Sequence, residues 1–278
     1  MKELFDNVSA RCSKITTCAY STSFSLGIKL LAKRFRQPIY AIYGFVRFAD
    51  EIVDSFHNYD KANLLKKFRT GTYEAIDSGI SLNPILNSFQ HAVNTYAINR
   101  DLIDTFFDSM EMDLQQHFYT RTLYEKYIYG SAEAVGLMCL KVFCEGDEQL
   151  YDALTAPAMK LGSAFQKINF LRDINADNEQ LGRTYFPGID LKNFNAEDKR
   201  NIESEIEAEL KESLEGIKQL PASSRSGVYL AYNYYLVLFK KIKSVSPVTI
   251  FSTRIRVNNV KKMGLLCNCM IRHQLNLL

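Results

Sequence analysis

The stretch Gln166-Lys167-Ile168-Asn169-Phe170-Leu171-Arg172-Asp173-Ile174-Asn175-Ala176-Asp177 decides how this chain folds and what chemistry it carries. Asn169, Asp173 and Asp177 recur every fourth residue, a spacing that stacks them along one face of a helix. Gln166 lies on the same stripe, one turn earlier. At 1.5 Å per residue the row from Asn169 to Asp177 is about 12 Å long, the span of a diphosphate with its metals. Its donors are hard oxygens, without His or Cys, which favours Mg2+ over Zn2+. An isolated Asp-x3-Asp pair is also a common solvated helix face, so a second row is needed to decide.

That second row lies upstream. The segment Ile39-Tyr-Ala-Ile-Tyr43-Gly-Phe-Val-Arg47-Phe-Ala-Asp50-Glu51-Ile-Val-Asp54 holds no charge before Arg47, which marks a helix buried on most sides. Tyr43, Arg47, Asp50 and Asp54 nevertheless form one polar stripe. Buried charges need partners, since an unpaired one costs several kcal/mol. Arg47 is placed to neutralise one carboxylate, and Glu51 points elsewhere, toward solvent. With the rows facing each other in a bundle, Asp50, Asp54, Asp173 and Asp177 surround one cavity. Such facing acidic helices suit a di-iron centre or a magnesium–diphosphate site. None of the four histidines stands in a Glu-x-x-His pair, so magnesium and diphosphate are expected.

Around these rows the sequence reads as helix almost throughout, and one all-α domain over 1–278 is predicted. Residues 3–33 are helical with a break in the hydroxyl cluster Ser21–Ser25. Pro38 opens the next helix, 39–55. Helices follow at 61–77, 83–98 and 101–116, the last carrying the acidic run Asp108, Glu111 and Asp113. Thr122 caps a helix over 123–144. The helix 148–180 carries the Asn169 row, 182–194 is irregular, and 195–218 is a solvated outer helix. Two further helices occupy 222–243 and the region after Pro247.

Composition narrows the class. The chain is 47% hydrophobic and 23% charged, as in ordinary globular proteins, and its net charge of +3 does not argue for a nucleic-acid partner. From Lys240 onward there are Lys and Arg residues but no Asp or Glu, a basic segment suited to a polyanion or an anionic membrane surface. The N-terminus lacks an apolar signal core, and the apolar stretch Val228–Phe239 is too short to span a bilayer. The six cysteines show no zinc or disulfide spacing, which fits a reduced, cytoplasmic compartment, and the basic segment from Lys240 is the candidate for peripheral membrane contact.

At these residues the sequence resembles the squalene/phytoene synthase family. The resemblance covers nearly the whole chain. It rests on Ser23-Phe24-Ser25, Arg47-x2-Asp50-x3-Asp54, Tyr127-x-Tyr-Gly-x-Ala-x2-Val-Gly136, Gln166-x2-Asn169-x2-Arg172-Asp173-x3-Asp177 and Gly182-Arg-x-Tyr-Phe-Pro187. It implies an isoprenoid-synthase helical bundle around a central cavity. It also implies that Asp50, Asp54, Asn169, Asp173 and Asp177 hold Mg2+, with Mn2+ as an alternative. Arg47, Gln166 and Arg172 would contact substrate, as would Tyr127, Tyr43, Tyr235 and the segment Tyr20-Ser21-Thr22-Ser23.

The implied reaction joins two isoprenoid diphosphates head to head through a cyclopropyl diphosphate. Geranylgeranyl diphosphate and phytoene, in carotenoid biosynthesis, are the favoured pair, and squalene or dehydrosqualene from farnesyl diphosphate is the alternative. Phytoene formation needs no reductant and no Gly-x-Gly-x-x-Gly fingerprint is present, so NADPH is not expected. Ser131-Ala-Glu133-Ala departs from the Val-Ala-Gly-Thr of relatives, and Tyr20 and Thr22 replace the His and Lys some carry. A head-to-tail synthase would show Asp-Asp-x-x-Asp rows, whereas Glu51 follows Asp50 and Ile174 follows Asp173. A terpene cyclase would use one diphosphate, and a non-catalytic helical assembly factor would have shed its carboxylates.

Overall fold

The row-bearing segments become two of the long walls of a helical bundle. The computed structural model describes residues 1–115, 118–181 and 183–274, with side chains throughout except at 176–181, 192, 273 and 274. The helices are α1 (Lys2–Tyr20), α2 (Thr22–Leu30), α3 (Lys33–Ser55), α4 (Lys61–Ser78), α5 (Pro84–Tyr96), α6 (Arg100–Gln115) and α7 (Arg121–Ile128). After a π-helical turn at Tyr129–Glu133 come α8 (Ala134–Cys144), α9 (Glu148–Leu181), α10 (Ala196–Gln219), α11 (Ala222–Lys243), α12 (Pro247–Ser252) and α13 (Asn259–Gln274). Among the described residues there is no strand, only an isolated bridge between Phe118 and Thr184.

Local chemistry sets several boundaries. Ser21 breaks the first helical region as expected: its extended backbone ends α1, and its hydroxyl accepts from the Phe24 amide to cap α2. Asn195 and Asp198 form a capping box at the start of α10. Other expectations need correction. The α3 helix starts at Lys33, so Pro38 lies inside its second turn rather than at its start, where it removes one amide from the helical ladder. Thr120, not Thr122, caps α7 by accepting from the Leu123 amide. The region after Pro247 is two helices rather than one.

Nor is α10 merely a solvated face. Lys199, Glu203 and Glu209 are buried, and Glu209 accepts from Lys167 of α9 at 2.8 Å. The acidic run of α6 is divided as well. Asp104, Asp108 and Glu111 surround Arg69 of α4, while Asp113 turns into the interior.

Small residues let the helices approach. A side chain at Gly130 in the π-helical turn would meet the main-chain oxygen of Thr105 at 2.4 Å, so only glycine fits against α6. Gly216 of α10 likewise admits Pro157 of α9. The helix α1 is inverted in polarity: it buries Ser9, Ser13 and Thr17 against the core and exposes Leu4, Val8 and Ile15. Its hydroxyls bond back to carbonyls one turn earlier at Ser9 and Thr17, which lets them be buried. The span Arg121–Cys144 is long and apolar enough to cross a membrane, yet most of it is buried inside the bundle.

Two apolar clusters build the core. One gathers α3 to α6 with α8 around Phe45, Phe89, Phe106 and Phe107. The other gathers α7, α9, α10 and α11 around Phe170, Leu171, Ile206 and Phe239. A cavity lies between them, lined from both sides.

Candidate active site

This cavity has a volume of about 530 Å3 and carries its charged side chains at one end only. Arg47 and Asp50 of α3, Gln166, Asn169 and Arg172 of α9, and Arg254 from the loop after α12 line that end. Toward the other end the lining becomes Ile39, Leu31, Leu140, Phe143 and Leu154. Along α9, Asn169 and Leu154 are fifteen residues apart, about 22 Å of helix. The slot is therefore long, with charge at one end and hydrocarbon along its length.

Of the residues singled out in the sequence, Tyr20, Ser21, Tyr43, Arg47, Asp50, Tyr127, Gln166, Asn169, Arg172 and Tyr235 line the cavity. Asp54 and Asp173 flank its polar end without being part of the lining. Thr22 and Ser23 also stand outside it, and the Thr22 hydroxyl accepts from Lys262 of α13 at 2.6 Å. Asp177 continues α9, but its side chain lies outside the described residues, as does Gly182 altogether.

Each acidic row has been claimed by arginines. On α3, Arg47 pairs with Glu51, which is not solvent-directed as the sequence suggested but only 21% exposed. Arg47 also lies over the Tyr20 ring, 4.4 Å from its centre, and its Nη1 stays 3.9 Å from Asp50. Asp50 is consequently short of positive charge. Burial, and then repulsion from Asp54, push its carboxyl up to about 7, with Arg47 offsetting only part. Its side chain nevertheless keeps 32% of its surface, which opens into the cavity.

Asp54 is held by Arg183, whose Nη1 lies 2.8 Å from Oδ1. On α9, Arg172 pairs with its neighbour Asp173, and Arg254 donates through Nε to the same carboxylate at 2.7 Å. Burial works against the charge of Arg172, but Asp173 outweighs it and holds the guanidinium above its ordinary range.

Behind the lining stands a buried network that the sequence reading did not assign. Asp113 of α6 accepts from Tyr127 at 2.7 Å, from Tyr185 at 3.1 Å and from Tyr119 at 3.2 Å. Burial raises its carboxyl to about 6, and Arg183 and the Tyr127 hydroxyl limit the rise. Tyr127 thus presents a ring to the cavity while its hydroxyl is spent on Asp113. Arg183 lies within the quoted Gly182–Pro187 motif, which was the available signal for it. Asp113 was hidden in an ordinary acidic run, and Arg254 in the basic tail.

Aromatic rings surround the stretch just below the charges. Phe165 and Tyr235 stack with centroids 3.8 Å apart, and Phe24 approaches Tyr43 at 5.8 Å and Tyr235 at 6.0 Å. The Tyr235 hydroxyl donates to Asn169 Oδ1 at 3.3 Å, and burial makes it a weaker acid, with its pKa pushed up to about 12. Such a ring of π-faces in an apolar slot suits a cation, since it offers no strong nucleophile.

Residues 18–261 match the model of squalene/phytoene synthases. The chain belongs to the squalene/phytoene synthase family. Among curated proteins, this family member is 27% identical to a chloroplastic phytoene synthase of Narcissus pseudonarcissus, over 96% of its length and 66% of the relative's. It is 33% identical to a presqualene diphosphate synthase of Sinorhizobium fredii over 61% of its length and 59% of the relative's. It is 28% identical to a 4,4'-diapophytoene synthase of Staphylococcus haemolyticus over 68% of its length and 64% of the relative's. The chain thus spans no more than about two thirds of each of these three proteins. Among solved structures, a dehydrosqualene synthase in complex with ligand superposes with a TM-score of 0.82 at 23% identity, covering 97% of this chain and 98% of the other. A squalene synthase from Alicyclobacillus acidocaldarius gives 0.74 at 19%, covering 86% and 94%. Both share the all-α fold found here.

Proposed function

We propose that the protein joins two isoprenoid diphosphates head to head, through a cyclopropyl diphosphate, with geranylgeranyl diphosphate as substrate and phytoene as product. The observation that carries this reading is the one-ended polarity of the cavity: cations and carboxylates at the mouth, π-faces next, hydrocarbon beyond. A C20 tail has a main chain of sixteen carbons, roughly 20 Å when extended with C–C bonds of about 1.5 Å. The α9 wall is of that length. Gly27 and Ile28 line the cavity, and the missing side chain at Gly27 leaves room for a tail, although Gly27 also serves the close crossing of α2 with Gly227 of α11.

The donors fit a hard divalent cation. Asp50, Asp54, Asn169, Asp173 and Asp177 supply only oxygen, and the raised Asp50 carboxyl is the group a cation would relieve. No three His, Cys, Asp or Glu side chains among the described residues form a closed cage. Mg2+ is commonly held by one or two carboxylates with the rest of its shell from water and substrate phosphate, so an open arrangement suits it. Bound there, Mg2+, or Mn2+ in its place, supplies Lewis-acid stabilisation of the departing diphosphate.

Within the chain, Arg47 and Arg172 face the leaving group and stabilise the charge that grows as the allylic C1–O bond breaks, its electron pair leaving with diphosphate. Phe24, Tyr43, Phe165 and Tyr235 face the allylic cation. The double bond of the second substrate attacks C1, and proton loss closes the cyclopropane. A second ionisation, rearrangement and proton loss give the 1–1′-linked hydrocarbon with no reductant. Incubating the protein with Mg2+ and each diphosphate, with and without NADPH, tests the reading by product mass. A C40 hydrocarbon from the C20 substrate without NADPH supports it; product only from farnesyl diphosphate overturns it.

A further inference from the structure

The helix α13 carries a surface the cavity does not use. It packs on α11 through Cys269, which is 1% exposed and donates to the Ser226 carbonyl at 3.3 Å. The outward side is apolar. At 100° per residue, Val260, Met263, Cys267, Met270 and Ile271 fall within a sector of about 100°. Val260 is 82% exposed, Met263 50% and Ile271 55%, and Val248 on α12 adds another exposed apolar side chain at 76%. In a water-facing helix this stripe would be polar.

The charges beside the stripe have one sign. Lys261 is exposed on its flank, and Arg256 just before the helix and Lys240 at the end of α11 are exposed too. The last acidic residue in the chain is Glu215, and α2 contains none, so the helices packed around α13 bring no carboxylate. With a net charge of only +3 for the whole chain, this end is basic against an otherwise acidic body. The patch also borders the cavity mouth. Lys262 reaches back from α13 to the Thr22 hydroxyl, one residue from Ser21 in the lining, and Arg254 of the preceding loop lines the polar end.

We infer that α13 is an interfacial helix that seats the protein on an anionic phospholipid bilayer, with Val260, Met263 and Ile271 in the acyl boundary and Lys261 and Arg256 at the headgroups. An apolar stripe flanked by Lys and Arg, lying parallel to the surface, is the arrangement by which helices bind such interfaces. A water-facing mouth would leave an apolar product to cross water, whereas a mouth beside lipid lets it leave directly. Seating on lipid is independent of which reaction is catalysed, so its failure leaves the proposed activity standing.

The chain has no tryptophan, so Met263→Trp places a single fluorescent reporter on the stripe. Its emission shifts to the blue with vesicles of phosphatidylcholine mixed with phosphatidylglycerol, and hardly at all with phosphatidylcholine alone. Sedimentation with the mixed vesicles weakens on the order of tenfold at high salt, and about fivefold with Lys261→Ala. The double variant Val260→Asp/Ile271→Asp loses binding on the order of tenfold or more while its unfolding temperature is unchanged, because both side chains face outward. No blue shift, or equal sedimentation of wild type and double variant, overturns the inference. So does sedimentation velocity showing a dimer that the double variant dissolves, which would make the stripe an interface between two copies.

Discussion

The Arg183 guanidinium lies 2.8 Å from the Asp54 carboxylate, joining residues 129 positions apart in the chain. Its other nitrogen donates to the main-chain oxygen of Asp113 at 2.9 Å and reaches toward that of Val53, so one side chain closes the ends of α3 and α6 onto the segment after α9. Only 5% of Arg183 is exposed. It is the cation that lets a carboxylate as buried as Asp113 exist beside the acidic row of α3.

Replacing Arg183 with Met should therefore cost about 3–5 kcal/mol of stability, the usual consequence of stranding a buried charge. Urea unfolding would measure it. Adding Asp113→Asn should return part of the loss, because the amide needs no countercharge and keeps an acceptor for Tyr127. A double variant as unstable as the sum of its singles would show that the two residues are uncoupled.

Asp173→Asn should lower turnover by at least about 10²-fold, since it removes one negative donor from the end of the cavity where the diphosphate is placed. Circular dichroism and unfolding temperature should change little, because two arginines lose a partner but both keep access to solvent or to the cavity. Near-normal turnover would remove Asp173 from the metal-binding set.

The two acidic rows were legible because their period is local: four-residue spacing on a helix is visible without knowing the fold. The break at Ser21 was legible for the same reason, since a capping hydroxyl serves its own chain three residues on. Arg183 and Arg254 were not assigned, because their partners lie on distant segments; the Gly182–Pro187 motif contains Arg183 without pointing to Asp54, and no motif surrounds Arg254. Glu51 was misread because i, i+4 pairing with Arg47 turned it back along α3, where periodicity alone placed it outside. Thr122 stands two residues too late for the cap, since the hydroxyl that accepts the Leu123 amide is that of Thr120.

Gly130→Ala should destabilise the protein by about 1–3 kcal/mol, the usual cost of forcing a methyl into a packed position. The new Cβ would stand 2.4 Å from the Thr105 carbonyl oxygen and 2.7 Å from Ser109 Cβ, so the π-helical turn must move off α6. Ser131 and Ala132 of that turn line the cavity, and substrate affinity should fall along with the unfolding temperature. Affinity unchanged despite lower stability would show that the wall does not follow the turn.

Glu133 gives the protein a pH dependence away from the acidic rows. Burial, then repulsion from Glu209, raise its carboxyl to about 7, with Lys160 and Lys167 offsetting part. Glu209 itself spends Oε1 on Ser163 and Lys167 and leaves Oε2 buried without a partner. A carboxyl whose folded pKa lies above its unfolded value favours the folded state while protonated. That contribution is complete below about 4.5 and lost as pH rises through about 7. Glu133→Gln should remove its share of the slope, leaving that of Asp50 and Asp113, and raise stability at pH 8 by about 1–2 kcal/mol after allowing for solvent screening, with little effect at pH 4. Unfolding curves at both pH values would check it, and an unchanged slope would place the titration elsewhere.

Phe165 separates π-stabilisation from simple packing. It stacks on Tyr235 at 3.8 Å and meets Phe24 edge-on at 6.4 Å, so it braces the aromatic ring as well as lining the cavity. Leu at this position keeps most of the apolar volume but has no π-face. Cation–π interactions in desolvated sites are worth up to about 2 kcal/mol, so Phe165→Leu should slow turnover by roughly 3- to 30-fold. KM should hold nearly steady, since the ground-state hydrocarbon gains little from a quadrupole. The cation that does form would be less protected, and water should capture more of it as allylic alcohol. Mass analysis of products would show a rising alcohol fraction in the Leu variant, with Phe165→Tyr staying near wild type. A fall in kcat with no added alcohol would mean that Phe165 acts by bracing Tyr235 rather than by facing the cation.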